Sequence, residues 1–186
     1  FYRNNGVNPG RSGFDMAIEA GDMVENTRTR LNKFFHGDSS ERMVFCYNAT
    51  DGLNIVINGI VGKGDHVIST NLEHNSVLRP LNHLARDLGI EVTWLPFNEQ
   101  GFIDPDDVNK AFKPNTRLVV VNHGSNVIGT IQDLKSIGSI ANEKGAIFLA
   151  DCSQTAGVIP IDMHEMNLDV LVFTGHKAMM GPTGIG

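Results

Sequence analysis

Two apolar runs, Ala146-Ile147-Phe148-Leu149-Ala150 and Val170-Leu171-Val172-Phe173, each stop at a polar tip. The first ends in Asp151-Cys152-Ser153-Gln154 and the second in Thr174-Gly175-His176-Lys177. Short runs that are apolar throughout predict strands buried on both faces, as in a parallel sheet. Their tips then fall near one another. A carboxylate at one tip and an amine at the next suit a cofactor whose ring nitrogen needs an anionic partner and whose aldehyde needs a lysine. An arbitrary lysine is a solvated loop residue, because lysine is rarely buried unless paired; the neighbours of Lys177 argue for the chemical reading.

Outward from this pair, the chain alternates predicted strands and helices. Residues 1–13, rich in Asn, Gly and Arg, read as a loop. A helix is predicted from Ser12 to about Phe35, with Ser12 as N-cap, Asp15 three residues on and Gly37 past its end. Its apolar stripe, Met16, Ala20, Met23, Val24, Leu31 and Phe34-Phe35, is incomplete. Met43 to Tyr47 is predicted as a strand, and Asn48-Ala49-Thr50-Asp51-Gly52 as a turn into an apolar helix from Leu53 to about Val61. Then come a strand at His66 to Thr70, a helix from Glu73-His74-Asn75-Ser76 to near Leu88 with Gly89 as its cap, and a strand at Glu91 to Leu95. Gly101 to Ile103 is a short extended piece, and Asp104-Pro105 opens a helix to about Phe112. A buried strand from Arg117 to Asn122 is tipped by His123-Gly124-Ser125-Asn126, and a helix from Asp133 to Lys144 is closed by Gly145.

This alternation predicts an α/β fold, three-layered, with a mainly parallel, doubly wound sheet. No internal repeat, low-complexity tract or linker interrupts residues 1–186, so they read as one folding unit. Right-handed crossovers bring the carboxyl ends of parallel strands to one edge, where such folds bind ligands. Asn48 to Thr50, Glu73-His74, His123 to Asn126, Asp151 to Gln154 and Thr174 to Lys177 each follow a predicted strand, which scattered surface residues would not do.

Composition narrows the class. With 41% hydrophobic and 19% charged residues, the 186-residue chain is that of a soluble globular protein. No apolar run approaches the ~20 residues that cross a bilayer, and no signal-peptide pattern opens the sequence, so a cytoplasmic location is the expectation and a membrane partner is not. Cys46 and Cys152 both lie beside apolar runs, which indicates neither a disulfide framework nor a metal site. A formal net charge of -6 without a basic cluster argues against nucleic acid as the partner. No Gly-x-Gly-x-x-Gly follows a strand and no Gly-x-x-x-x-Gly-Lys-Ser/Thr occurs, so dinucleotide and P-loop readings fail.

Asp151-Cys152-Ser153-Gln154, Asp162, Asp169, Thr174-Gly175-His176-Lys177 and Gly181-Pro182-Thr183-Gly184-Ile185-Gly186 together resemble the signature of the class V, fold-type I pyridoxal-phosphate enzymes. Within that family they resemble the cysteine desulfurase and selenocysteine lyase branch. The resemblance implies pyridoxal 5'-phosphate as cofactor and Lys177 as the Schiff-base lysine. It further implies Asp151 as partner of the ring nitrogen, Gln154 as donor to the ring hydroxyl, and Thr174 and His176 as phosphate ligands.

Three further segments fit the same resemblance. Ala49-Thr50-Asp51 opens a helix whose free amides attract phosphate, and the family supplies a small hydroxyl residue here, so Thr50 and the amide of Ala49 are candidates. An ordinary helix cap is the plainer reading. Asp51, an acid beside a dianion, is expected to point away or to lend only its amide. In Glu73-His74-Asn75-Ser76, His74 would stack on the cofactor ring and move protons, which makes it, with Lys177, a candidate catalytic residue. Ser125-Asn126-Val127-Ile128-Gly129-Thr130 resembles the desulfurase branch, with Asn126 near the ring hydroxyl and the substrate carboxylate. His123 lines the site or ends its strand. Strand alternation turns Cys152 away from Asp151 into the core, and Cys46 lies within a predicted strand.

The implied activity converts L-cysteine to L-alanine with transfer of sulfur to an enzyme persulfide. A class V aminotransferase, another lyase or a non-catalytic cofactor-binding remnant are the alternatives. Partial burial and cationic neighbours would favour the neutral amine that Lys177 needs. The family also implies a homodimer, a sulfur-acceptor protein, and a chain about twice this length. Residues 1–186 would then be an incomplete cofactor-binding large domain, with the persulfide cysteine and a substrate-binding arginine beyond it.

Overall fold

The computed structural model describes residues 6–10 and 13–186. Two compact units are distinguished, Phe1–Val44 and Phe45–Gly186. In the first, helix α1 spans Asp15–Phe34. The expected N-cap, Ser12, lies outside the described residues; Phe14 stands at the cap position without a side-chain bond. Asp15 in the first turn and Lys33 in the last complement the helix dipole. The N–H of Gly37 donates to the carbonyl of Asn32 at 2.9 Å, closing the end at the predicted glycine. Of the apolar stripe, Ala20 and Phe35 are buried while Met16, Met23 and Phe34 are exposed.

The second unit is built on a five-stranded, wholly parallel sheet in the order β2-β1-β3-β4-β5. β1 is His66–Thr70, β2 Glu91–Leu95, β3 Thr116–Asn122, β4 Ile147–Asp151 and β5 Val170–Val172. Helices α2 (Ala49–Ile60), α3 (Asn75–Leu88), α4 (Pro105–Ala111) and α5 (Leu134–Glu143) connect them. The run 43–47, predicted as a strand, joins no ladder among the described residues. Within it Cys46 exchanges two backbone bonds, of 2.9 and 2.8 Å, with Gly186. An apolar run becomes a strand only where a partner backbone lies alongside, and one residue pair makes no ladder. Val44 and Tyr47 accordingly stand exposed.

Alternation along the strands makes two apolar layers. Val67, Leu118, Val120, Leu149 and Val172 face α2 and α3, packing with Leu53, Ile57, Val77 and Leu81. Their neighbours Ile68, Val119, Val121 and Phe148 fill the opposite face and are fully buried. α5 covers that side: a methyl at its Gly138 would stand 3.0 Å from the Phe148 ring. Helices on both faces give the predicted three layers. His66 is a core histidine satisfied on both nitrogens, Nδ1 by Thr116 at 2.7 Å and Nε2 by Thr93 at 2.8 Å, so it ties β1 to both neighbours.

The strand order reverses between β1 and β3, the topological switch point at which such sheets open a crevice. β1 and β3 pair only as far as Ile68 and Val119. Beyond that the buried carboxyl group of Glu73 bridges the gap, its Oε1 accepting the Asn122 N–H at 2.9 Å and the Thr70 hydroxyl at 2.7 Å. Among the described residues, no helix is long and apolar enough to cross a membrane.

Candidate active site

A cavity of about 330 Å³ opens at the carboxyl edge of the sheet. Its wall includes every residue proposed from sequence: Ala49, Thr50, His74, Asn126, Asp151, Gln154, Thr174, His176 and Lys177. Asn48, Ser76, Asn122 and Ser153 line it as well.

α2 delivers the first of these. Asn48 is its N-cap, with Oδ1 accepting the Asp51 N–H at 3.0 Å, and this cap starts the helix at Ala49 rather than at the predicted Leu53. The Asp51 carboxylate turns back to the Tyr47 N–H at 3.2 Å, away from the cavity. Its amide is taken by Asn48, so it has none to lend. The amides of Ala49 and Thr50 are left without partners among the described residues, facing a site where the helix dipole favours an anion.

α3 delivers His74, its N-cap, whose Nδ1 accepts the Ser76 N–H at 3.2 Å. The Ser76 hydroxyl lies 2.8 Å from the same nitrogen and 2.7 Å from the Thr50 hydroxyl, which joins the starts of the two helices. Beneath them Glu73 is wholly buried, and desolvation, with a smaller push from Asp151, raises its carboxyl to about 8. Its Oε2 has no hydrogen-bond partner among the described residues.

Asp151 ends β4 in register with Asn122 of β3 and Val172 of β5. It is 3% exposed, and its Oδ1 accepts both the N–H and the hydroxyl of Ser153, at 3.0 and 2.6 Å. The same turn carries Gln154 to the cavity. After β5, Thr174 is buried and its hydroxyl lies 2.9 Å from Nδ1 of His176. Lys177 sits on a tethered loop: Gly175 N–H donates to Ile185 O at 2.9 Å, Gly181 N–H to Gly175 O at 2.7 Å, and Met180 N–H to Lys177 O at 2.9 Å. The side chain of Lys177 is exposed, not partly buried as expected, because this loop leaves the sheet edge and holds it at the mouth of the cavity. A turn closed by Ser125 N–H to Thr130 O, at 3.0 Å, presents Asn126.

Both cysteines and His123 stand apart from the cavity wall. Cys152 is fully buried, as alternation predicts, and burial together with the Asp151 charge pushes its thiol far up. His123 ends its strand and does not line the site; its Nδ1 lies 2.9 Å from the Thr155 hydroxyl, and burial lowers it to about 4. Ser153, inside the segment Asp151-Cys152-Ser153-Gln154, and Asn122, the last residue of a predicted strand, are assigned no role from sequence. Ser76 stood inside a quoted motif, but its spacing of two from His74 at a helix start is the only hint of its contact.

Comparison with known proteins agrees with this geometry. The chain matches the family described as aminotransferase class-V over residues 1–186. It is 37% identical over 191 residues to a probable cysteine desulfurase of Borreliella burgdorferi, covering 100% of this chain and 45% of that protein. It is 38% identical over 190 residues to the mitochondrial cysteine desulfurase of Candida albicans, covering 100% of this chain and 38% of the relative. The apo cysteine desulfurase of Thermococcus onnurineus superposes with a TM-score of 0.92 at 34% identity, over 99% of this chain and 46% of that one. The protein SspA in complex with cysteine superposes at 0.91 with 28% identity, over 100% and 54%. The chain thus spans less than half the length of the curated relatives it matches, and its parallel α/β fold is that of the fold-type I enzymes. By match, identity and fold, the chain belongs to the class-V aminotransferase family, whose members depend on pyridoxal phosphate.

Proposed function

We propose that this chain is the cofactor-binding part of a pyridoxal-phosphate-dependent cysteine desulfurase, and that residues 1–186 belong to the large domain of the longer protein. The observation that carries the reading is the pairing of Asp151 and Lys177. Asp151 ends β4, Lys177 lies on the loop that follows the adjacent parallel strand β5, and both are on the wall of one cavity. The residues also fit the group they would hold. Oδ2 of Asp151 takes no bond from the described residues while Oδ1 is saturated, the amides of Ala49 and Thr50 are open, and about 330 Å³ is within the range of small-ligand sites.

In this reading Asp151 pairs with the protonated ring nitrogen, its negative charge held in place by Ser153. Gln154 and Asn126 would hold the ring hydroxyl side, and His74 would stack on the ring. Thr50, Ala49 N–H, Thr174 and His176 hold the phosphate. Pyridoxal phosphate supplies the electron sink for negative charge developing at the substrate α-carbon. Lys177 would hold the aldehyde and, when released, would carry the α-proton. For the whole protein we propose L-cysteine as substrate, the ligand of the superposing SspA structure. We further propose alanine and a protein persulfide as products, a homodimer, a sulfur-acceptor protein and a cytoplasmic location. Borohydride reduction with pyridoxal phosphate present, followed by peptide mapping, is expected to tag Lys177; a label on Lys135 or Lys144 instead would overturn the reading.

A further inference from the structure

We infer that Ser76 is a positioning residue that joins the phosphate end and the ring end of the cavity through one directed hydrogen-bond chain, Thr50 to Ser76 to His74. Anion binding at Thr50 resets the direction of that chain. The inference rests on the reading above of Thr50 as a phosphate ligand.

The direction follows from the helix cap. A backbone amide only donates, and the Ser76 N–H points at Nδ1 of His74 at 3.2 Å, so Nδ1 is the bare nitrogen and Nε2 bears the hydrogen. The Ser76 hydroxyl, 2.8 Å from the same bare nitrogen, therefore donates to it. Having given its proton to His74, Ser76 Oγ only accepts from the Thr50 hydroxyl 2.7 Å away. Thr50 has one hydroxyl proton, and in this state it is committed to Ser76. Ser76 is 6% exposed, so solvent does not readily stand in for either neighbour.

A phosphate at the start of α2 only accepts at its charged oxygens, so Thr50 must turn its hydroxyl proton outward to bind it. The vacated Thr50 oxygen then becomes an acceptor for Ser76. When the Ser76 proton swings to Thr50, Nδ1 of His74 keeps the amide of Ser76 and loses the hydroxyl. The imidazole facing the ring thus registers occupancy of the phosphate site without touching the phosphate. No bond to hydrogen is broken; only hydroxyl rotors turn.

The test is nitrogen-15 NMR of the histidine side chains in the full chain, with inorganic phosphate as the probe. In the phosphate-free parent, His74 is expected to show a bare Nδ1 and a hydrogen-bearing Nε2. Phosphate is expected to move the Nδ1 resonance in the parent and in Ser76→Thr, and several-fold less in Ser76→Ala and Thr50→Val. The charge of the ion acts equally on the parent and Ser76→Ala, so their difference reads the chain and not the field. Equal movement in the parent and Ser76→Ala would overturn the coupling alone. A hydrogen on Nδ1 in the phosphate-free parent would overturn the direction. Absence of a saturable shift at the Ala49 and Thr50 amides would remove the phosphate placement and the coupling together.

Discussion

Ser153 closes both its N–H and its hydroxyl onto a single oxygen of Asp151, Oδ1, at 3.0 and 2.6 Å. The carboxylate is thereby fixed in rotation, while Oδ2 takes no bond from the described residues and Asp151 lines the cavity. Ser153→Ala keeps the amide bond and removes the shorter one. The expected cost is about 1.5–3 kcal/mol of stability, the range for a hydrogen bond to a charged group. Urea unfolding of the parent and variant measures it. Asp151→Asn should keep the fold while weakening pyridoxal-phosphate binding and changing the absorption of the bound cofactor. A variant that binds and reacts like the parent would make Asp151 a structural residue.

Glu73 supplies a pH signature. Burial raises its carboxyl from the usual 4.5 to about 8, so between those values the native state holds a proton that the unfolded chain has lost. Stability on this account falls as pH rises through the window. His123, lowered from 6.5 to about 4, acts oppositely: its share is lost as pH falls from 6.5 towards 4. His123 and His66, which burial also lowers, contribute progressively less above pH 6.5, and the difference in slope between the parent and Glu73→Gln there isolates Glu73. The urea midpoint of the parent should drop between pH 6.5 and 8, and that of Glu73→Gln should drop less. Equal slopes would mean that Glu73 is ionised in the native state.

The sheet was legible because β-branched and apolar runs such as 118–121 and 147–150 admit few other readings, and the site because a parallel sheet gathers its strand tips. What escaped depends on contacts that periodicity does not encode. Ser153 acts on a residue two positions away, Ser76 spans two helices, and Glu73 completes the pairing of β3 where β1 has departed. Residues 43–47 have the composition of a strand, but pairing, not composition, makes a ladder. At Gly138 a Cβ would lie 1.9 Å from the Met166 carbonyl, so its helix and the loop at Met166 touch through the missing side chain, a contact that helical periodicity does not encode.

Two glycines separate stability from site geometry. Gly138→Ala must push backbone aside and should destabilise the fold by about 1–3 kcal/mol or more, as overpacking does. At Gly175 a Cβ would meet Ile185 Cγ2 at 2.7 Å and the Ile185 carbonyl oxygen at 3.2 Å, a looser approach to backbone than at Gly138, in the loop that tethers Lys177. Gly175→Ala should leave the urea midpoint nearer the parent's while reducing borohydride-trapped labelling of Lys177. If Gly175→Ala unfolds more readily than Gly138→Ala, the loop is part of the fold's core and not only a mount for the lysine.

The thiols provide the last prediction. Cys152 is fully buried, and burial and the neighbouring Asp151 charge drive its thiol upward, away from the thiolate that attacks sulfur. Cys46 is part-buried, its thiol also raised by burial, and its Sγ is directed at the Asn48 carbonyl at 3.2 Å. Neither lines the cavity. A thiol reagent at neutral pH should therefore reach Cys152 only on unfolding, and Cys46 more slowly than free cysteine. Incubating the chain with pyridoxal phosphate, L-cysteine and a reductant should change the cofactor spectrum without catalytic release of alanine or sulfide through these thiols. Alanine in excess over protein, lost in Cys152→Ala or Cys46→Ala, would make the affected cysteine the nucleophile and overturn the burial argument.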